Sequence, residues 1–284
     1  MSYAQRIKNH LADYKLQRLG IEENGAWKKN NVKYPYILPS QLEKLNILET
    51  IRKEFWDHWK KQASIKLHKD FHHLNSSQAM CFNLLLPMLK GRCDGAAQRV
   101  LLEEIGLADE KIERCEFERI IEVSEETNID FSMILESKVE VIFEIKLSED
   151  EFGTARNDKK HLKKLNDIYK PILTGKVNDD SLKPTNFFAN YQLMRYAYYA
   201  NDKRIVVFIY PRENTSLERG RNYLASVLKP AYRQYVKFIY LEDLVSSLCS
   251  LNGGESALCK VHYDLFKEKY IIENIERTFG GDEL

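Results

Sequence analysis

The stretch 128-NIDFSMILESKVEVIFEIKL-147 holds two runs in which apolar and polar residues alternate. Successive side chains of a strand point to opposite faces, so Ile129, Phe131, Met133 and Leu135 share one face and Asp130, Ser132 and Ile134 the other. In the second run Val139, Val141, Phe143, Ile145 and Leu147 are apolar, while Glu140, Ile142, Glu144 and Lys146 look the opposite way. Glu136-Ser137-Lys138 makes a three-residue turn, and joining the two apolar faces requires Leu135 to face Val139. That register sets Asp130 directly opposite Glu144.

Directly opposed strand residues have Cβ atoms about 5 Å apart, where like charges are destabilising. At an effective dielectric of about 20, two carboxylates at that spacing repel by about 3 kcal/mol. A divalent cation between them turns the repulsion into a binding site. Oxygen-only ligands with no nearby His or Cys suit Mg²⁺, with Mn²⁺ able to substitute, since Mg²⁺ takes one or two carboxylates plus waters and phosphate oxygens. Lys146 lies two residues beyond Glu144 on the same face, where it can orient or help deprotonate a water and steady charge developing on a phosphate. A solvated strand face also alternates charged and apolar residues, and Glu-x-Lys alone is common. The joint pattern, Asp on one strand and Glu-x-Lys on the next with the faces in register, favours the metal site.

Outward from this hairpin, strand patterns at 117–123, 128–135 and 139–147 predict an antiparallel unit. Before it the chain reads as helical: 3–18, a helix opened by the Ser40/Glu43 capping-box pattern and running to about Lys61, another from Ser76 to the Pro87–Gly91 region, and 96–105 closed by Gly106. After it helix and strand alternate, with helices at about 185–200, 214–228, 241–250 and 255–276 and strands at 204–211 and 236–241. The expected fold is α/β, a mixed central β-sheet flanked by helices, with residues 1–70 a helical N-terminal extension and 71–284 the main domain.

The chain has 284 residues, 43 Lys plus Arg against 42 Asp plus Glu, and 44% hydrophobic residues, which excludes disorder as its main state. Runs such as Leu84 to Leu89 and Ile205 to Tyr210 are far too short to span a membrane, and the charged N-terminal stretch does not read as a secretory signal, so the expectation is a cytoplasmic protein without membrane partners. Cys81, Cys93, Cys115, Cys249 and Cys259 contain no Cys-x-x-Cys pair and predict neither a disulfide framework nor a zinc knuckle. Charge is uneven along the chain. Residues 155–176 carry seven Lys or Arg against two Asp, 219–237 carry five Lys or Arg and no acid, and 103–126 carry ten Asp or Glu against three Lys or Arg. The basic runs suit contact with a phosphate backbone, the second interleaved with Tyr223, Tyr232 and Tyr235 for stacking. His72 and His73 lack a matching third ligand. Ser76 or Ser77 reads as a helix cap and Gln78 as a partner for nearby backbone.

Asp130, Glu144 and Lys146 resemble the D…ExK core of the PD-(D/E)xK nuclease superfamily, the restriction-endonuclease-like fold. YQLMRYAYYA (191–200) places Gln192 and Tyr196 four apart on one helix face and looks like the QxxxY element that follows the catalytic strands in RecB-like branches. The order LNSSQ (74–78), TNID (127–130), EIK (144–146), EFG (151–153), YQLMRYAYYA and YPREN (210–214), with upstream NGAW and YPYILP, is similar to a bacterial group of restriction-endonuclease-like proteins. This resemblance covers about residues 25 to 215. It implies that Asp130 and Glu144 bind the metal with the Ile145 carbonyl, that Lys146 acts on the nucleophilic water, and that Gln192 and Tyr196 position the phosphate or the lysine. It further implies an acid from the preceding helix, for which Glu104 is chosen over Glu103. The residue before Asp130 is Ile129 where the superfamily name has Pro.

The expectation is therefore a Mg²⁺-dependent DNA endonuclease, hydrolysing backbone phosphodiesters by in-line attack of water, with a bacterial restriction or defence role. The alternatives are a repair or recombination nuclease and a catalytically idle DNA-binding module. Cutting both strands of a palindrome would call for a homodimer.

Overall fold

A computed structural model describes residues 1–61, 65–89, 95–251 and 256–272; Gly91, Cys93 and the last residues of the predicted 255–276 helix lie outside them. The chain opens with α1 (Tyr3–Gln17), capped by the Ser2 hydroxyl, then a two-stranded ribbon of β1 (Gly25–Ala26) and β2 (Lys33–Tyr34). The Ser40/Glu43 capping box does not form. Ser40–Asn46 is a 3₁₀ segment led by Pro39 without a side-chain cap, and the helix, α2 (Glu49–Lys61), begins later. Asn46 explains the break, because its side-chain amide is spent on the carbonyls of Phe71 and His73 at 2.6 and 2.7 Å and ties the turn to the next connection. Next come α3 (Ser77–Leu85), capped by Ser76 as expected, and α4 (Ala96–Glu104), followed by Gly106 at φ +73°.

The sheet is built from β3 (Ile112–Ile120), β4 (Asn128–Leu135), β5 (Glu140–Ile145), β6 (Arg204–Tyr210) and β7 (Val236–Tyr240), in that spatial order. β3, β4 and β5 are antiparallel and β5, β6 and β7 parallel, a mixed sheet as expected. β3 starts five residues earlier than the 117–123 pattern, since its pairing with β4 reaches back to Ile112 despite alternating charges there. The β5 to β6 crossover carries α5 (Lys159–Lys164), a π-helical turn, α6 (Lys170–Leu173), α7 (Pro184–Ala189) and α8 (Tyr191–Tyr199). The helix expected over 185–200 is thus broken at Asn190. α9 (Thr215–Val227) and α10 (Pro230–Arg233) lead to β7, and α11 (Leu241–Cys249) and α12 (Ser256–Tyr270) follow it.

Helices cover both sheet faces. On one, Phe131, Met133, Phe143 and Ile145 share a core with Ile7 and Leu11 of α1, Phe55 of α2, Phe82 of α3 and Phe266 of α12. On the other, Ile142, Val206 and Phe208 pack with Leu173, Phe187, Tyr196, Leu217 and Leu224. Every residue of β5 is consequently buried, which corrects the picture of a half-polar strand: parallel strands with crossover helices are covered on both faces. Glu140, on that second face, is neutralised by Arg119 at 2.7 Å and Arg204 at 2.6 Å.

Candidate active site

Phe131 faces Phe143, Ser132 faces Ile142 and Met133 faces Val141, the predicted hairpin register. It is set by the 136–138 turn, where Leu135 N donates to the Val139 carbonyl and Lys138 N to the Leu135 carbonyl, both at 2.9 Å, with Lys138 at φ 70°. Continued one step beyond Phe131 and Phe143, that register sets Asp130 opposite Glu144 near the end of β5, the strand whose other edge pairs in parallel with β6. Ile145, between Glu144 and Lys146, donates its amide to Asp130 Oδ2 at 2.9 Å and so pins that carboxylate across the strands.

Glu144 is 3% exposed, and three side chains converge on it. Lys146 Nζ lies 2.8 Å from Oε1, Gln192 Nε2 donates to the same oxygen at 2.6 Å, and the Tyr196 hydroxyl donates to Oε2. Gln192 Oε1 in turn accepts from Lys146 Nζ at 3.2 Å, closing a ring of three polar groups. Gln192 and Tyr196 reach the site from one face of α8, as spacing of four on a helix requires. The Gly153 carbonyl accepts from Gln192 N at 3.2 Å, and a Cβ on Gly153 would stand 2.8 Å from Gln192 Oε1, so the EFG glycine leaves room for that amide.

Burial and the adjacent Glu144 charge both push the Asp130 carboxyl well above the usual carboxylate range, with Lys146 and the Ile145 amide opposing. Burial would lower the Lys146 ammonium, but Glu144, Glu149 and Asp130 outweigh it and hold the proton more tightly. The Tyr196 phenol is raised by burial and by Glu144.

A third carboxylate borders this pair. Glu118, at φ 52° on β3, accepts from Gln78 Nε2 at 2.9 Å and from Asn128 Nδ2; burial raises it against those two hydrogen bonds, and Glu144 raises it further. Gln78 also takes up backbone, accepting from His68 N at 2.8 Å and donating to the Lys66 carbonyl at 3.1 Å. Glu104 stands apart from these residues, at the end of α4 and exposed, its Oε1 accepting from Ser247 of α11 at 2.8 Å. Sequence reasoning missed two supports. Glu118 was one acid among ten in an uneven run. Asn214, buried at the head of α9, donates to the carbonyls of Leu147 at 3.2 Å and Glu149 at 2.9 Å and anchors the chain leaving β5; its only signal was its place in YPREN.

The Lys-rich run is in part internal wiring. Lys164 donates to the Glu125 carbonyl at 2.8 Å and to Glu126 at 2.9 Å, and Lys176 is buried against the carbonyls of Tyr198 and Ala200 at 2.6 Å. In the second basic run Arg221 lies 5.4 Å over the Tyr240 ring and 3.6 Å from Glu218.

Among the described residues no three His, Cys, Asp or Glu side chains are gathered to hold a metal by themselves. The donor set at the strand end, two carboxylates with oxygen donors only and the Asp130 carboxyl raised by burial and by Glu144, fits a hard divalent cation that completes its shell with backbone, water and substrate oxygens. Among the described residues no helix is long and apolar enough to cross a membrane. A family model described as restriction endonuclease associating with ARP matches residues 8–271. No curated protein and no solved structure matches the chain.

Proposed function

The chain belongs to the family described as restriction endonuclease associating with ARP, and from that premise we propose that it is a Mg²⁺-dependent DNA endonuclease of the PD-(D/E)xK type acting in defence. The observation that carries this reading is the convergence of Lys146, Gln192 and Tyr196 on Glu144, one register step from Asp130. Asp130, Glu144 and the Ile145 carbonyl would hold the ion, which when bound supplies charge neutralisation at the scissile phosphate and a more acidic water. Lys146 presents its ammonium beside that position, to orient the attacking water and to donate to the oxygens on which charge develops. Gln192 and Tyr196 keep the Glu144 carboxylate in one rotamer, and Gln192 holds Lys146 at the same time. Burial of Glu144 and Tyr196 keeps bulk water away from this side of the site.

The test is incubation of the purified protein with unmethylated phage and plasmid DNA, with and without Mg²⁺, beside Glu144→Ala and Lys146→Ala. Discrete fragments that require the metal and both side chains are expected, with DNA affinity largely kept in the variants. A smear with the same dependence would favour a repair nuclease, and cleavage at the native rate by either variant would overturn the assignment of the site.

A further inference from the structure

Between the connection leading into α3 and the ends of β4 and β5 lies a cleft of about 700 Å³, within the size range of small-ligand sites. The connection leading into α3 forms one wall, and Asn128, Ser148 and Glu149 form the other. Its lining reaches β4 and the chain leaving β5, which carry the proposed catalytic centre. Asn128 is two residues from Asp130 and donates to Glu118, and Ser148 is two residues beyond Lys146 and accepts from Asn75 Nδ2 at 2.8 Å.

Three polar atoms on residues lining this cleft are buried without a hydrogen-bond partner: Asp70 Oδ1, His73 Nε2 and Asn75 Oδ1. His73 is only 9% exposed. Its Nε2 stands 3.7 Å from Asp70 Oδ1, too long for a hydrogen bond but close enough for one incoming group to serve both. Burial, with His72 beside it, pulls the His73 imidazole down to about 4, so at neutral pH it is an uncharged ring with a donor and an acceptor. Buried polar atoms are almost always satisfied, and three unsatisfied ones on residues that line a single cleft leave hydrogen-bonding capacity there for a ligand to use. Two of the three are oxygens, which can only accept. The ligand must bring hydrogen-bond donors, and within the DNA grooves the donors that bases present are the amino groups of cytosine, adenine and guanine. Lys66 and Lys69, also on the wall, add the positive charge that a phosphodiester strand requires.

We infer that this cleft receives one base edge of the substrate duplex from its groove, with Asp70, His73 and Asn75 reading an amine-bearing base and Lys66 and Lys69 holding the flanking phosphates. The inference rests on the nuclease reading, and makes these three residues determinants of where the strand is cut.

Two readouts separate the two ideas. Asp70→Ala and Asn75→Ala are made in the native chain and in a Lys146→Ala background. Binding selection from a randomised duplex pool is run without divalent metal in that background, and cut ends are sequenced with Mg²⁺ in the native one. The expected result is one position beside the cut at which an amine-bearing base is favoured, with that preference falling at least tenfold in both variants while other positions keep theirs. An unchanged preference, no preference in the parent chain, or an equal loss of affinity for every sequence would overturn the base-reading cleft. Cleavage with an unaltered preference leaves the nuclease and removes the cleft. A preference lost in the binding arm by a chain that never cuts keeps the cleft and removes the nuclease.

Discussion

Glu144 takes three donors on two oxygens, and of these Tyr196 is the most informative to change because its phenol is fully buried and donates to nothing else. Tyr196→Phe keeps the ring that packs 5.2 Å from Phe208 and removes only the hydroxyl. The fold should lose about 1.5 to 3 kcal/mol in a urea melt, the usual range for a hydrogen bond to a charged group. On the proposed nuclease reading, in which Glu144 would hold the metal, cleavage should fall about 10- to 100-fold with a higher Mg²⁺ requirement, the usual result of freeing a ligand's outer partner. Equal activity in a Mg²⁺ titration would remove Tyr196 from the site. At this scale the sequence is most readable where period-2 alternation and a short turn leave a single register, the one that sets Asp130 opposite Glu144. Glu118 was not readable. It reaches the site through β3, whose start is masked by charges on both faces and whose left-handed residue is a glutamate with no turn signal around it. Glu104 satisfied the same compositional rule and lies on a helix end that faces α11.

Between elements, the β3–β4 connection is tied down by one buried carboxylate. Glu125 accepts from Thr127 N at 2.8 Å, Tyr169 OH at 2.5 Å, Arg195 Nε at 2.6 Å and Tyr199 OH at 2.8 Å, so it joins the hairpin to the crossover turn and to α8, the helix that delivers Gln192 and Tyr196. Burial alone would raise its pKa, but Arg195 and the hydrogen bonds outweigh this and lower it. Breaking a buried ion pair from one side leaves the other charge uncompensated, at a cost of about 3 to 5 kcal/mol. Glu125→Ala should show that loss as a lower urea midpoint at neutral pH. A group whose folded pKa is depressed stabilises above its unfolded value and loses that contribution as pH falls through the folded one. The gap between native chain and variant should therefore narrow in acid, below the ordinary carboxylate value of 4.5. A constant gap from pH 7 to pH 3 would mean that packing rather than charge holds this joint. None of this was visible in sequence, where Glu125 was one of ten acids in the uneven 103–126 run with nothing to single it out. The strands and most helices were visible, because apolar periodicity is local; the break at Asn190 and the 3₁₀ segment at Ser40 were not, because distant hydrogen bonds and packing decide them.

Across the whole molecule, each sheet face is closed by a buried lysine whose ammonium meets backbone carbonyls instead of a carboxylate. Lys176, beside the crossover core, donates to the Tyr198 and Ala200 carbonyls. Lys269 of α12, fully buried beside the other core, donates at 2.6 Å to the Asn46 carbonyl and at 2.7 Å to its side-chain oxygen, tying the C-terminal helix to the N-terminal connection. The charged neighbours acting on them are Arg204 and Arg52, which add to the effect of burial. Burial brings Lys176 down to about 8 and Lys269 well below 10.5. The sign follows from proton counts: between the folded value and 10.5 the unfolded chain holds a proton that the folded chain has released, so stability rises with pH. For Lys176 the rise from pH 7 to about pH 10 is on the order of 3 kcal/mol. Lys176→Met and Lys269→Met should each flatten the curve of unfolding free energy over that window, and the double variant should flatten it most, since the two sites serve different cores. Tyrosine ionisation lowers stability at the alkaline end of the window in all of these chains and cancels in the differences. Parallel curves for native and variant chains would mean that both amines stay charged on their carbonyls throughout, and that the two cores tolerate a buried ammonium without a counter-ion.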